Sequence, residues 1–392
     1  MRTKYINLLS LIFGICAFSL FFTPQSYAVG DLAYRIFEIG ILLVSTSITL
    51  LYLICYKFDK QWIFFSFFYV FFYFASSILS QSDGSIYAYI FGAAKGIGFI
   101  TLVKFLLNYN KRIMLLSFCC AGCIMCFFHF ISIFKYFDVI GGMRHGYIPY
   151  AYGSTLPTTQ NWYFLTYDNE SIFYFLPLIC ALIIYGIVYS KYALYVAVIY
   201  AALIGFSYIA KGAATASVAF LCFVILAALF LLLYKHRSVA ISCNLASIIG
   251  IIVSVTLILG IGSGLFSRIA ILLGKDPTFT GRSYIWNNSI KYICESPFWG
   301  NGIEQTTTII AKLNQNHCHN IILQILYTGG IFAFAFFVLG IFSTPDKNKN
   351  AFSSIVSAAV LAFFIAASLD WYPSIPVPFI LFYLFPYCSS SK

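Results

Sequence analysis

The chain has 392 residues, 61% of them hydrophobic and 9% charged, with a mean hydropathy of +0.90. A soluble domain carries about one quarter charged residues, so this composition excludes a water-soluble enzyme or binding module and predicts an all-α integral membrane protein. The net charge of +11 does not indicate nucleic acid as a partner, because the basic residues are scattered through short connections without a dense patch of interleaved aromatics.

Apolar runs near the roughly 20 residues that cross the hydrocarbon occur at 5–22, 36–56, 61–80, 86–107, 113–134, 171–189, 192–210, 213–234, 239–266, 320–342, 351–368 and 373–387. They predict about twelve transmembrane helices. Arg2 and Lys4 precede the first run, and Ser26-Tyr27-Ala28 has the form of a small-x-small cleavage site. The run is longer than the usual core of about 7–15 residues in a signal peptide, so the expectation is an uncleaved first span with a cytoplasmic N-terminus.

That orientation puts Lys57, Lys60, Lys111, Arg112, Lys191, Lys235, Arg237, Lys347, Lys349 and Lys392 in short cytoplasmic connections, as the positive-inside rule requires. Two long external loops follow, about 135–170 and 267–319, within one polytopic membrane domain covering 1–392. Arg144, Lys211, Arg268, Lys275, Arg282, Lys291 and Lys312 then lie externally, against the rule. An anionic ligand on that face is the simplest reason.

Along the chain, Cys119-Cys120-x-x-Cys123-x-x-Cys126 has metal-like spacing. It sits inside an apolar span without polar partners, so these thiols read as small packing groups. His129, in the same span, reads as a buried polar residue with a helix partner. The first external loop holds Gly141-Gly142, Arg144-His145 and Asp168-Asn169-Glu170, a turn-rich stretch suited to a binding vestibule. Lys211-Gly212 makes a very short external turn close to the bilayer surface.

In the second loop Thr280 is an N-cap candidate. Residues 283–294 read as an amphipathic helix with Trp286, Ile290 and Ile293 on one face, predicted to lie on the bilayer with Trp286 as anchor. Ser296-Pro297 ends it, and Gly300-x-Gly302 permits a tight reversal before the segment 306–313. Cys294 and Cys318 both fall in this loop, and the sequence leaves open whether they pair.

Arg282 is the first candidate to grip a phosphate or pyrophosphate, since its planar fork donates two parallel hydrogen bonds. Lys211, Arg268 and Arg144 are further candidates, for which contact with lipid phosphates is the plain alternative. His319 opens a span, where the helix dipole favours a neutral ring that can accept a proton from a hydroxyl. Its plain alternative is an interfacial polar residue. Asn320 and Gln324 share a helix face and are candidates for binding sugar hydroxyls. His317 and His319 make a His-x-His pair with Cys318 and Glu304 in sequence reach, but no external run of carboxylates or thiolates completes a coordination sphere. Neither metal nor cofactor is expected. A lipid-linked-sugar flippase is the competing class, and nearly charge-free span centres with no repeat symmetry argue against it.

Thr280-Gly281-Arg282 with Ile285-Trp286, Ser296-Pro297 with Gly300-x-Gly302, and His319-Asn320 with Leu323-Gln324-x-Leu326 and Gly329-Gly330-Ile331 occur in the order seen in the O-antigen polymerase and ligase superfamily. In these residues the chain resembles that superfamily, and within it the repeat-unit polymerases. The resemblance implies a GT-C-type glycosyltransferase of the bacterial inner membrane with its active face periplasmic. Its substrates would be undecaprenyl-pyrophosphate-linked oligosaccharides, it would need no metal, and a chain-length regulator would be its partner. The resemblance also implies that His319 deprotonates or orients the acceptor hydroxyl while Arg282 and a second basic group bind the departing pyrophosphate. O-antigen ligase, transferring the glycan to the lipid A core, is the near alternative. One departure stands out. Family members commonly carry Arg-Gly at the mid-chain span boundary where this sequence has Lys211-Gly212, which keeps the charge and loses the bidentate fork.

Overall fold

A computed structural model describes residues 2–24, 32–135, 163–166, 169–237, 241–260, 282–343, 351–370 and 375–384. Among them every regular element is helical. The helices are α1 (Arg2–Phe21), α2 (Leu32–Cys55), α3 (Lys60–Leu79), α4 (Ile86–Tyr109), α5 (Lys111–Lys135), α6 (Ile172–Val188), α7 (Tyr192–Lys211), α8 (Ala214–Arg237) and α9 (Cys243–Gly260). They continue with α10 (Arg282–Glu295), α11 (Thr306–Leu313), α12 (Ile321–Phe342), α13 (Ala351–Asp370) and α14 (Ile380–Tyr383).

Nine of the described helices are long and apolar enough to cross a membrane, in α2–α5, α7–α9, α12 and α13, while Tyr5–Phe21 and Ile172–Val188 are shorter apolar helices. The run expected as a twelfth span differs. Its described part, 375–384, is a 3-10 turn at Val377–Phe379 followed by the single turn of α14. Pro376 and Pro378 account for this, since each removes a backbone donor and crowds the preceding turn. The segment is buried instead against α3, where Gln61 Nε2 donates to the Phe382 carbonyl at 3.1 Å.

The spans pack in neighbouring pairs: α1 on α5, α2 on α4, α3 on α12, α6 on α7, and α13 between α8 and α9. Depth within the bundle varies strongly. The apolar window of α13 is 83% buried, against 22% for α2 and α7, so α13 is the central post and the other two face lipid. Burial of α13 explains its polar content. Ser353, Ser354, Ser357 and Ser368 are all buried, and Ser368 hydrogen-bonds Ser254 of α9 and the Phe364 carbonyl. Asp370 therefore ends the most buried of the nine described candidate spans.

Two expectations about the spans need correction. The centre of α4 is not charge-free: Lys95 lies within it, and Glu38 of α2 is the anion acting on that charge. Lys104, nearer the opposite end, pairs with Asp59 at 3.0 Å. His129 finds its partner outside the helices, its Nδ1 accepting the Leu165 backbone N–H at 3.1 Å. Cys294 and Cys318 are both free thiols.

α12 is broken at Gly330, where φ is 64° and ψ −166°. The break leaves carbonyls of the preceding turn without helical donors, and the 297–302 segment supplies them: Asn301 N–H donates to Tyr327 O at 2.7 Å and Gly302 N–H to Thr328 O at 2.9 Å. In return Ile331 N–H donates to Pro297 O at 2.9 Å. Ser296-Pro297, Gly300-x-Gly302 and Gly329-Gly330 thus form one interlocked junction. α3 faces it with a π-helical stretch, Val70–Ala75, and Phe71 stacks on Trp299 at 6.1 Å.

Candidate active site

The starts of α6 and α12 and the ends of α7 and α13 bring the polar candidates to one end of the bundle. His319 and Asp370 meet there, with Nδ1 3.1 Å from Oδ1. Asp370 is 2% exposed. With the carboxylate accepting the Nδ1–H, the Nε2 lone pair of His319 is the basic atom presented for chemistry.

The backbone carrying His319 is locally constrained. His319 has a left-handed φ of 50°, a conformation uncommon outside glycine and typical of sites where the surroundings over-determine the chain. His319 N–H donates to His317 Nδ1 at 3.1 Å, Cys318 N–H to Gln324 Oε1 at 2.8 Å, and Trp286 Nε1 to Cys318 O at 2.9 Å. Asn320 then caps α12, its Oδ1 accepting from Ile322 and Leu323 N–H while Nδ2 donates to Ser368 O at 3.1 Å. These bonds hold His319 against the end of α13.

The same bonds revise three sequence expectations. Asn320 and Gln324 are buried, and their amides serve the cap and the Cys318 backbone, with Gln324 Nε2 also donating to Thr328 at 2.9 Å. They position the loop and do not present themselves to sugar. Trp286 does not anchor α10 in the bilayer: it is 1% exposed and packs with Ile285, Leu313, Cys318, Leu323 and Tyr327. An apolar helix face buries equally well in protein or lipid, and here Cys318 O satisfies the indole N–H.

Arg282, at the start of α10, docks by Nε on Leu369 O at 3.1 Å, beside Asp370. Burial first, then the neighbouring His319 and Arg282, hold the His317 ring well below the ordinary imidazole range, so it stays neutral. Burial also pushes the Cys318 thiol up to about 12, which keeps it from acting as a nucleophile. Lys211 is buried at the end of α7, which stops at Gly212 in the left-handed conformation, φ 65°. Its Nζ donates to Ser171 Oγ at 3.1 Å and lies over the rings of Tyr163 and Tyr208 at 5.2 and 5.4 Å. Arg144 and Arg268 lie outside the described residues.

Glu170, beside Ser171, is the link between the Lys211 and His319 ends of the site. Burial raises its carboxyl from 4.5 to about 7, a Thr166 hydrogen bond opposes the rise, and the charge of Asp370 adds to it. Between pH 4.5 and 7 the folded state therefore binds more protons at Glu170 than the unfolded state does, and its contribution to stability falls as pH rises through that window. Glu170→Gln is expected to flatten this dependence and to raise the melting temperature at pH 8 above wild type. Thermal unfolding of the detergent-purified protein across pH 5–8 checks it, and parallel curves for the two proteins would refute it.

His317, His319 and Asp370 offer ligand atoms within 4.8 Å of one another, a set that could hold a metal. The hydrogen bonding favours a different use. Nδ1 of His317 already accepts a backbone N–H and Nδ1 of His319 faces Asp370, so one nitrogen of each ring is already used. Sequence reading missed Asp370 and Glu170 as functional groups. The one signal for Asp370 is a lone acid ending an apolar run.

Residues 199–338 match the family model described as O-Antigen ligase, a stretch that runs from α7 through Lys211, Arg282 and His319 to α12. Over that stretch the chain is similar to this family, which supports the resemblance to the O-antigen polymerase and ligase superfamily. The long apolar helices make it a multi-pass membrane protein, and the family that the stretch resembles is one of glycosyltransferase-like enzymes. No curated protein matches the chain.

Proposed function

We propose that this protein is a repeat-unit polymerase, a GT-C-type glycosyltransferase at the periplasmic face of the bacterial inner membrane. It moves a growing glycan from undecaprenyl pyrophosphate onto the non-reducing end of the next lipid-linked repeat unit. The observation that carries this reading is the His319–Asp370 pair with Arg282 docked beside it, and with Lys211 connected to it through Ser171 and Glu170, at one end of an apolar bundle.

In the reaction the bond between the anomeric carbon and the pyrophosphate oxygen breaks, and the acceptor hydroxyl oxygen forms the new bond to that carbon. The hydroxyl proton passes to His319 Nε2, and Asp370 stabilises the imidazolium that results. The bonding electrons leave with undecaprenyl pyrophosphate. Arg282 and Lys211 neutralise the charge that develops there, and placement of two membrane-tethered substrates supplies much of the remaining acceleration. Lysine at 211 grips as a point charge, so the bidentate contact falls to Arg282. A chain-length regulator is the expected partner.

Ligase activity is the second reading, favoured by the description of the matching family model. Both readings use the same donor and differ in the acceptor. A lipopolysaccharide gel from cells lacking this gene separates them. Core carrying a single repeat unit without a ladder supports the polymerase; core without any repeat unit, with long polymer retained on undecaprenyl pyrophosphate, supports the ligase. Complementation with Arg282→Ala is expected to restore no ladder while the variant accumulates normally in the membrane. A normal ladder would remove Arg282 from the site.

A further inference from the structure

Beyond the His319 end, the turn at Gln81–Asp83 between α3 and α4 meets the loop before α11 and lines an open cleft of about 370 Å³. Ser82, Asp83, Asn301, Glu304, Thr308 and Lys312 are among its lining residues. The walls are tied across more than 200 residues of sequence. Asp83 accepts from Gln305 N–H at 2.8 Å and from the Thr308 hydroxyl, and Ser82 hydrogen-bonds Ile303 O. On the other wall Lys312 pairs with Glu304 and donates to Asn301 Oδ1 at 3.2 Å, and Tyr327 donates to Glu304 at 2.6 Å.

The chemistry of this lining is selective. Two carboxylates and one ammonium disfavour an anion, and polar groups make up more than half of the lining surface, including both carboxylates and the ammonium, which a lipid chain would have to desolvate. Carboxylate oxygens accept more than one hydrogen bond, so Asp83 and Glu304 retain capacity for hydroxyl donors. Although burial raises the Asp83 carboxyl, its bonds from Thr308 and the Gln305 backbone hold it below the usual carboxylate range, ionised and acceptor-only. A compact molecule rich in hydroxyls fits these walls.

The cavity is also joined to the dyad. Gly302 N–H donates to Thr328 O, Thr328 Oγ1 accepts from Gln324, and Gln324 Oε1 accepts from Cys318 N–H, next to His319. From Ile321, two residues after His319, to Thr328 along α12 is roughly 10 Å at 1.5 Å per residue. A group at this distance touches sugar units remote from the bond being made.

We propose that the cleft between the Gln81–Asp83 turn and α11 is a saccharide subsite that holds an uncharged, hydroxyl-rich stretch of the glycan while its reacting end lies at His319. The assignment rests on the glycosyltransferase reading for its ligand, but its test does not require turnover. Full-length protein in lipid nanodiscs is mixed with lipid-free repeat-unit oligosaccharide, released by mild acid, and saturation-transfer NMR reads contact. Wild type and His319→Ala are expected to give the signal, Thr308→Val to keep it, and Thr308→Trp, which fills the cleft, to lose it. The valine variant removes the same hydroxyl as tryptophan does, so it separates filling from loss of the bond to Asp83. No signal from wild type, or an undiminished signal from Thr308→Trp, overturns the subsite. A single repeat and a lipid-free polymer are run as separate probes: binding of the single repeat identifies the acceptor glycan as the occupant, and binding of polymer alone identifies the donor. Should His319→Ala polymerise normally while still binding oligosaccharide, the transfer mechanism fails and the subsite stands.

Discussion

His319→Ala is expected to lower glycosyl transfer by on the order of 10²–10⁴, the range in which a positioned acid or base contributes, with the substrate KM changed far less. That corresponds to about 3–5 kcal/mol of transition-state stabilisation. The loss follows if His319 takes the acceptor proton as proposed. Asp370→Asn is expected to reproduce part of it, roughly 10–100-fold, as outer partners of functional histidines commonly do. Asparagine keeps the shape but removes the charge that supports an imidazolium, and its NH₂ can orient the ring with the wrong nitrogen toward the acceptor. Undecaprenyl pyrophosphate release by purified protein in nanodiscs measures both. More than a tenth of wild-type activity in His319→Ala would end the general-base assignment, and an unaffected Asp370→Asn would reduce the pair to packing.

Gly330→Ala is expected to be severely damaging. A Cβ there would lie 2.2 Å from Phe298 O and 2.4 Å from its carbonyl carbon, both backbone atoms that cannot swing aside. The backbone conformation is one that essentially only glycine adopts, at about 1–3 kcal/mol for other residues. Relief by movement would pull apart the Ile331–Pro297 bond and its neighbours. A total above about 3 kcal/mol is a large share of ordinary folding stability, so the variant is expected to give little folded protein or to melt several degrees lower. Gly205→Ala is the control, since the nearest atom to its Cβ would be 4.0 Å away. Equal melting of the two variants would show that the break in α12 tolerates a side chain.

The bundle was readable because long apolar runs leave few alternatives in a bilayer, and the polarity of the 282–319 region marked the segment that carries His319 and Arg282. What stayed hidden depended on pairings between distant positions. His319 and Asp370 are 51 residues apart, and nothing in their spacing connects them. Asn320 and Gln324 looked available for sugar because a sequence displays donors and acceptors without showing which are already used. Trp286 was misplaced because the periodicity of a helix identifies its apolar face and not the medium that covers it. Lys95 passed as part of an apolar run because averaging over a window conceals one charge.

The interlocking of the 297–302 loop with the broken helix sets the unit in which this architecture can be exchanged between proteins. A graft of 282–319 alone would bring the loop without the carbonyls of Tyr327 and Thr328 that receive its amides, and the host would keep an unbroken or mismatched helix. A transplant ending at Phe342 carries donors, acceptors and the glycine hinge together. Swapping specificity between relatives therefore requires moving a loop and the first membrane helix after it as one cassette.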